Sequence, residues 1–464
     1  VASIQIVFSH FYIDAKTGRS HPLGAVPDAG EWWPQFALYG KNWTQFFFLL
    51  SGFVLAYAEL TRPAHVPNKV SLLQYVRRRL IGIYPTFMFS LVVYMLLAPN
   101  FSPIGTFQWV SLVPTTLLLQ SWVVVCGEKM PMDNTAFAWN VPAWFLSALT
   151  LYWLTLRPLA GFLRRRGPAA TCGCLLALWA FALVPGLLAN MVPQPKANSC
   201  FYVNLQNGAL GYFHVFFAGA VAARLFILLC LKDADTGAKP NGDTRRLAID
   251  SMRAPFVFRY GCCIGYTLYI LYFLFVDMEV MLLFFHNGGI MPIMLLIMWG
   301  AAIGEDPIAK YVFQSSLFRC LGQLSYAQYL MQVPVFIFVM TVTSTHGEVD
   351  PKVFTKGIIQ VLPKPMRVLF PFILIAVAWL VQRYVQRPYT EWQQWRRQRG
   401  VVGSDERAIG CIEGACGRWA AFARPFWRTA REPLAAGTGC EAGAEGAVGG
   451  TGSADAATCG AGAV

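Results

Sequence analysis

Long apolar segments recur along most of the chain, separated by short polar connections. Most are close to the length of about 20 residues that an α-helix needs to cross a bilayer. They cover residues 1–13, 44–60, 80–98, 109–125, 143–162, 171–191, 208–231, 258–276, 281–303, 317–343 and 368–386. Apolar residues fill these runs continuously, which favours helices over the alternating strands of a membrane barrel. The pattern therefore predicts an all-α fold, a polytopic bundle of transmembrane helices.

Basic residues cluster in four of the connections, and such clusters mark cytoplasmic loops. They lie at residues 62–79, 157–166, 232–253 and 383–399. The run at 109–125 stands between two runs whose far ends are both expected in the cytoplasm, so it cannot be a full crossing. It also contains Pro114. We therefore expect about ten crossings, one re-entrant segment, and both termini on the cytoplasmic side.

The composition agrees with a membrane protein and argues against a soluble one. The chain has 464 residues, of which 56% are hydrophobic and only 13% are charged. Soluble domains carry about 25% charged residues, so the bilayer is expected to solvate much of the surface. The formal charge of +13 would suggest nucleic acid in a soluble protein. Because the cations lie between apolar runs, we interpret them as topology signals and expect no nucleic-acid partner.

The two ends of the chain differ from its middle. The first apolar run is too short to span and starts at Val1, so we expect further residues upstream. Residues 1–395 are predicted to form the transmembrane domain. The remainder, residues 396–464, is first basic and then rich in Gly and Ala, which predicts a disordered cytoplasmic tail.

Ionisable residues inside membrane segments are expensive and are therefore candidates for function. His10 ends the first apolar run. Histidine titrates near neutral pH and can take a proton from a hydroxyl, although a helix-end histidine at the membrane interface fits equally well. Ser51 and Gly52 by themselves indicate close helix packing. His214 and His286 are interpreted as packing residues.

Several motifs in order resemble the acyltransferase 3 family. Ser9 and His10 are followed by the segment FFFLLSGFVL, and later pieces read YVRRRL with IYP, PAWFLS, LGQLSYAQYL with PV, and RP with a tryptophan. They lie at residues 46–55, 75–85, 142–147, 321–335 and 387–392. Together the motifs cover about residues 1–395. The resemblance implies a bundle of about ten helices that O-acylates sugars, surface polysaccharides and related molecules.

The resemblance also implies roles for particular residues. His10 matches the position of the family's proposed catalytic base. Arg77, Arg78 and Arg79 match its basic entry to the third helix, which is implicated in binding the acyl donor. The donor implied is acyl-CoA, acetyl-CoA in the first place, and arginine clusters suit its phosphates. The alternative is that these arginines are only topology signals.

A substrate cavity is expected among the remaining motif residues. Ser51 and Ser147 are candidates to line it, and either could hold a transient acyl group. Trp144, Ser325 and Tyr326 are further candidates for the cavity wall. No Cys/His spacing is typical of a metal site.

Three departures from the family pattern leave room for an inactive member. Gly82, Leu149 and Gln332 stand where the family often has Arg, Glu and His. A transporter is a further alternative, disfavoured because no carboxylate pair lies deep in a predicted crossing and no inverted repeat is visible. The leading prediction is a membrane-bound O-acyltransferase acting on a carbohydrate or glycolipid-type hydroxyl.

Overall fold

The computed structural model describes residues 2–11, 39–62, 71–98, 106–123, 135–136, 138–190, 208–233, 247–276, 280, 285, 287–343 and 362–398. In chain order the helices are α1 (Ala2–Phe11), α2 (Trp43–Leu60), α3 (Leu72–Leu97), α4 (Thr106–Thr116), α5 (Trp144–Arg164), α6 (Pro168–Phe181), α7 (Leu183–Asn190), α8 (Phe213–Cys230), α9 (Phe256–Arg259), α10 (Gly261–Phe275), α11 (Met291–Ile303), α12 (Ser316–Thr343), α13 (Lys364–Val381) and α14 (Arg387–Gln398). Short 3₁₀ turns cover Tyr39–Asn42, Val141–Ala143 and Ala209–Gly211, and π-helical turns cover Ile308–Phe313 and Gln382–Gln386.

Seven helices in the described part are long and apolar enough to cross a membrane. They are Trp43–Leu60, Gln74–Leu97, Val141–Arg164, Pro168–Pro185, Phe213–Cys230, Ser316–Thr343 and Pro365–Gln393. Helices α10 and α11 are apolar but shorter, with 15 and 13 residues. The prediction of a mostly helical membrane protein is confirmed. His286 and the other residues between the described ranges lie outside what the structure describes.

One short pair of strands departs from the all-α prediction. Strand β1 (Leu231–Asp233) pairs antiparallel with β2 (Leu247–Ile249), with Lys232 opposite Ala248. The pair begins directly after α8, where the apolar run ends. Hydropathy along the chain carries no signal for a two-stranded ladder of three residues, so the sequence did not predict it.

Helix α3 begins eight residues before the apolar run that predicted it. Ser71 caps its first turn: the backbone N–H of Gln74 donates to the Ser71 hydroxyl, and the Ser71 N–H donates to the Gln74 side chain, each at 3.2 Å. This reciprocal capping box satisfies two of the free donors at a helix start. Arg77, Arg78 and Arg79 therefore lie inside the helix, on its second turn.

Helices α2 and α8 cross in direct backbone contact. A β-carbon on Gly52 would collide with the carbonyl oxygen of Phe216, and one on Gly219 would collide with the carbonyl oxygen of Leu49. Small residues allow such approach and are typical of helix pairs in membranes. The packing interpretation of Gly52 made from sequence is thus supported by geometry.

The chain after α4 is not helical and lies against α5. Helix α4 has 11 residues, about 16 Å of rise, and it contains Pro114. Leu118 then adopts a left-handed conformation with φ of 55°. The backbone N–H of Ser121 donates to the Ser147 hydroxyl at 3.0 Å. Irregular backbone at membrane depth requires this kind of cover by protein.

Gly52→Ala is expected to destabilise the protein by about 1–3 kcal/mol or more, because overpacking forces two backbones apart. Gly161→Ala is the matched control, since a β-carbon there meets nothing within 4 Å, and it should be neutral or stabilising by up to about 1 kcal/mol. Thermal unfolding of both variants in detergent measures the difference. Equal stability of the two would contradict the α2–α8 contact.

Candidate functional site

A layer of polar side chains crosses the bundle at the middle of α12. The Ser3 hydroxyl of α1 donates to Gln328 at 3.4 Å. The Asn140 amide donates to the Leu330 carbonyl at 3.2 Å and to the Ser90 hydroxyl of α3 at 3.0 Å. These four side chains are buried. Buried polar groups among apolar helices are costly unless paired, so this layer is the strongest structural candidate for a functional centre.

Helix α1 is also fastened to α2. The Trp43 indole N–H, at the start of α2, donates to the Gln5 side chain at 2.5 Å. His10 follows Gln5 by five residues, about 7.5 Å along the helix axis. The backbone of His10 belongs to α1, and its side chain lies outside what the structure describes. The structure therefore places the helix of His10 beside α2 and α12.

The start of α2 adds further polar contacts. The Asn42 amide donates to the Tyr272 hydroxyl at 3.1 Å, and the Gln45 amide donates to the Phe285 carbonyl at 2.6 Å. Both side chains are buried. These bonds tie α2 to α10 and to the chain before α11, so the position of Trp43 is determined on two sides.

Gln332 occupies the place of the family's late histidine. Its amide donates to the Tyr329 carbonyl of its own helix at 2.9 Å, and it is fully buried one turn after Gln328. It thus borders the polar layer. An amide does not titrate, so a second base at this position is ruled out on chemical grounds.

Trp144 and Ser147 begin α5 and fasten the non-helical segment 117–123. The Ser147 hydroxyl accepts from the Ser121 N–H, the Ser121 hydroxyl donates to the Trp144 carbonyl at 2.8 Å, and the Trp122 indole donates to the Ser147 carbonyl at 2.8 Å. Ser147 is fully buried. In the structure Ser147 holds this segment through hydrogen bonds. Its position in a substrate cavity stays a prediction.

Ser325 and Tyr326 lie on α12 nearer its start. Ser325 is half-buried, and its hydroxyl donates to the Gly322 carbonyl of the same helix at 2.7 Å. The Tyr326 hydroxyl donates to the Ile83 carbonyl of α3 at 2.7 Å, which joins two motifs far apart in sequence. Ser51 is half-buried on α2 beside Gly52. Trp144 and Ser147 both lie in the first turn of α5, whereas the hydrogen bonds of Ser325 and Tyr326 go to Gly322 and Ile83.

The three consecutive arginines of α3 are exposed. Arg77 and Arg78 make no hydrogen bond or ion pair with the described part of the chain. The Arg79 guanidinium lies 5.4 Å from the centre of the Tyr75 ring. Arg157 of α5 lies over the same ring at 4.9 Å. The cations of this bundle end therefore include groups that are open to an anionic ligand.

Other arginines at this end bond to helix ends instead. Arg164 donates to the Glu59 carbonyl in the last turn of α2 at 2.6 Å. Arg224 of α8 donates to the carbonyls of Arg164 and Arg166 at 3.1 Å each. The last carbonyls of a helix have no partner within it, so these guanidiniums satisfy acceptors and complement the helix dipole.

His214 lies in a buried, closely packed environment. It is fully buried on α8, and its Nε2 atom lies 2.6 Å from the Asn287 carbonyl. It contacts the ring of Phe181 edge-on at 5.4 Å. These contacts suit the packing role that the sequence indicated.

A cavity of about 420 Å³ lies beside α1 and α2 and is almost wholly apolar. It is lined by Ala2, Trp43, Phe46, Leu50, Phe53, Val54, Tyr266, Ile297, Met298, Ala301, Ala302 and Phe313. None of the site residues predicted from sequence belongs to this lining. The residue of this lining that can transfer a proton is Tyr266, and the lining contains no cation for phosphate binding.

The fold and the polar layer define a membrane protein built mainly from apolar helices. A family model described as an acyltransferase domain, Acyl_transf_3, matches residues 1–383, and the chain belongs to this family. Acyltransferase MdmB of Streptomyces mycarofaciens is 37% identical over 159 residues, which are 33% of this chain and 35% of that protein. The matched region thus spans about a third of the length of this curated relative. No solved structure matches the chain.

Ser147→Ala is expected to destabilise the protein by about 1–3 kcal/mol, because the buried Ser121 N–H loses its acceptor. Ser316→Ala, at an exposed position of α12, should stay within about 0.5 kcal/mol, as exposed substitutions usually do. Thermal unfolding in detergent compares the two. If Ser147→Ala were as stable as Ser316→Ala, segment 117–123 would not depend on this bond.

Proposed function

We propose that this protein is a multi-pass membrane O-acyltransferase. It moves an acyl group, acetyl in the first place, from acyl-CoA to a hydroxyl of a carbohydrate or glycolipid-type acceptor. Membership of the acyltransferase family supports the reaction class. The observation that carries the proposal is that α1, the helix of His10, is fastened to the buried polar layer through Ser3 and to α2 through Gln5.

The topology that we propose has ten crossings and both termini in the cytoplasm. The seven long apolar helices, the two shorter ones α10 and α11, and α1 account for these ten. Helix α4 with residues 117–123 is the re-entrant segment. This arrangement directs the arginine-rich bundle end to the cytoplasm, where acyl-CoA is found.

In the proposed mechanism His10 acts as the general base. It takes the proton of the acceptor hydroxyl as the oxygen attacks the thioester carbonyl, and the C–S bond then breaks. The same histidine returns the proton to the departing thiolate, so that CoA leaves as a thiol. A positioned base of this kind contributes about 10²–10⁴-fold to rate.

The donor is proposed to bind at Arg77, Arg78 and Arg79. Their guanidiniums are exposed on the second turn of α3, and planar guanidinium groups match phosphate geometry. An acyl relay through Ser51 or Ser147 is an alternative to direct transfer. For Ser147 the relay would require release of the Ser121 N–H bond.

His10→Ala is expected to lower acyl transfer by about 10²–10⁴-fold through loss of the base. Membranes containing the protein would receive labelled acetyl-CoA and an extract of cell-surface glycans and lipids, and the alkali-labile ester label would be counted. Ser316→Ala, an exposed substitution at the start of α12, is the control and should keep wild-type activity. Full activity of a well-expressed His10→Ala protein would refute the assignment. No label with the wild type would favour a transporter or a non-catalytic member instead.

The double variant Arg77→Gln/Arg78→Gln is expected to raise the KM for acetyl-CoA by about tenfold or more, since charge-assisted hydrogen bonds contribute about 1.5–3 kcal/mol. Arg165→Gln, an exposed arginine at the end of α5, is the control and should leave KM unchanged. Initial rates across acetyl-CoA concentrations separate KM from kcat. An equal effect of both variants would indicate only a loss of general positive charge.

A further inference from the structure

Two guanidinium groups from different helices converge on one tyrosine ring. Tyr75 lies in the first turns of α3, half-buried. Arg79 of the same helix lies 5.4 Å from the ring centre, and Arg157 of α5 lies 4.9 Å from it. One ring therefore contacts two cations, one from each helix, and cation–π contact orients each of them.

Arg157 does not have the position of a capping arginine. It lies seven residues before the end of α5 at Arg164, about 10 Å along the axis. It stands inside a segment that is apolar enough to span the membrane. A cation within such a segment is costly and is by default a functional candidate. Arg164 and Arg224, by contrast, bond directly to helix-end carbonyls.

Charge at this end of the bundle is strongly one-sided. Around α2, α3, α5 and α8 the described arginines are Arg62, Arg77, Arg78, Arg79, Arg157, Arg164, Arg165, Arg166 and Arg224. Among the described residues of these four helices, Glu59 is the acidic side chain. It forms an ion pair with Arg62 at 3.5 Å. Adjacent like charges repel, and a polyanion bound between them relieves that repulsion.

We propose that Arg157 and Arg79, aligned by Tyr75, bind the diphosphate group of the CoA donor. The inference rests on the proposed function and adds a residue of α5 to the donor site on α3. Paired guanidiniums suit a diphosphate because each can donate two parallel hydrogen bonds to phosphate oxygens. Tyr75 is a positioning residue that restricts both side chains before the donor arrives.

The test is binding of CoA, dephospho-CoA and pantetheine to purified protein in detergent, measured by calorimetry. Dephospho-CoA keeps the diphosphate and lacks the 3′-phosphate, and pantetheine has no phosphate. Arg157→Gln is expected to weaken CoA and dephospho-CoA equally, by about tenfold or more, and to leave pantetheine unchanged. Arg165→Gln is the matched control and should bind all three as the wild type does.

The other binding results would each contradict a different part of the proposal. Weakening of CoA alone would assign Arg157 to the 3′-phosphate and refute the diphosphate site. Unchanged binding by Arg157→Gln would refute the role of Arg157, whereas failure of the wild type to bind CoA would refute the proposed donor itself.

Tyr75→Leu provides a second variant if Arg157→Gln does not fold. It keeps both cations and removes their shared ring, so it should weaken dephospho-CoA less than about tenfold and leave pantetheine unchanged. The donor KM of acyl transfer should rise with kcat unchanged, which a merely structural defect would not produce. Wild-type affinity of Tyr75→Leu for dephospho-CoA would refute the alignment by the ring.

Discussion

The backbone contact between α2 and α8 is the constraint on which the rest of the bundle depends. Gly52 and Gly219 let the two helices touch without intervening side chains, and α2 also packs against α1, α5 and α11. In lipid no hydrophobic force drives helices together, so close packing and buried polar bonds must do so. The position of α2 in turn determines where Trp43 meets Gln5, and hence where the helix of His10 stands.

A second constraint is that backbone at membrane depth must find partners within the protein. The bundle contains irregular backbone at 117–123 and around Asn140, which has a left-handed φ of 35°. The Ser147 hydroxyl of α5 accepts from the Ser121 N–H, and the Gln120 side chain of the irregular segment donates to the Ala143 carbonyl before α5. One side chain of the polar layer, Asn140, comes from such an irregular segment, whereas Ser3, Ser90 and Gln328 come from regular helices.

Hydropathy predicted the helices well because a spanning helix must be apolar along its whole length. It misplaced the start of α3, since three arginines lower the average there while the capping pair Ser71 and Gln74 carries the signal. It could not reveal the polar layer, because Ser3, Ser90 and Gln328 are ordinary polar interruptions of apolar runs until the fold pairs them. Among the motif residues, Tyr326 joins α12 to α3 through Ile83, a contact that spacing along the chain cannot show.

The arginines at one end of the bundle make different contacts, which their number alone does not show. The positive-inside rule assigns the same meaning to every cation in a loop, and it correctly groups those at one end of the bundle. Geometry then separates them: Arg164 and Arg224 complete the hydrogen bonding of helix ends, whereas Arg77 and Arg78 have no partner among the described residues. Arg157 belongs to neither group, because it lies inside α5 and shares a ring with Arg79. A guanidinium that bonds to a carbonyl has committed part of its five donors, so Arg77 and Arg78 have more donors left for a phosphate than Arg164 and Arg224.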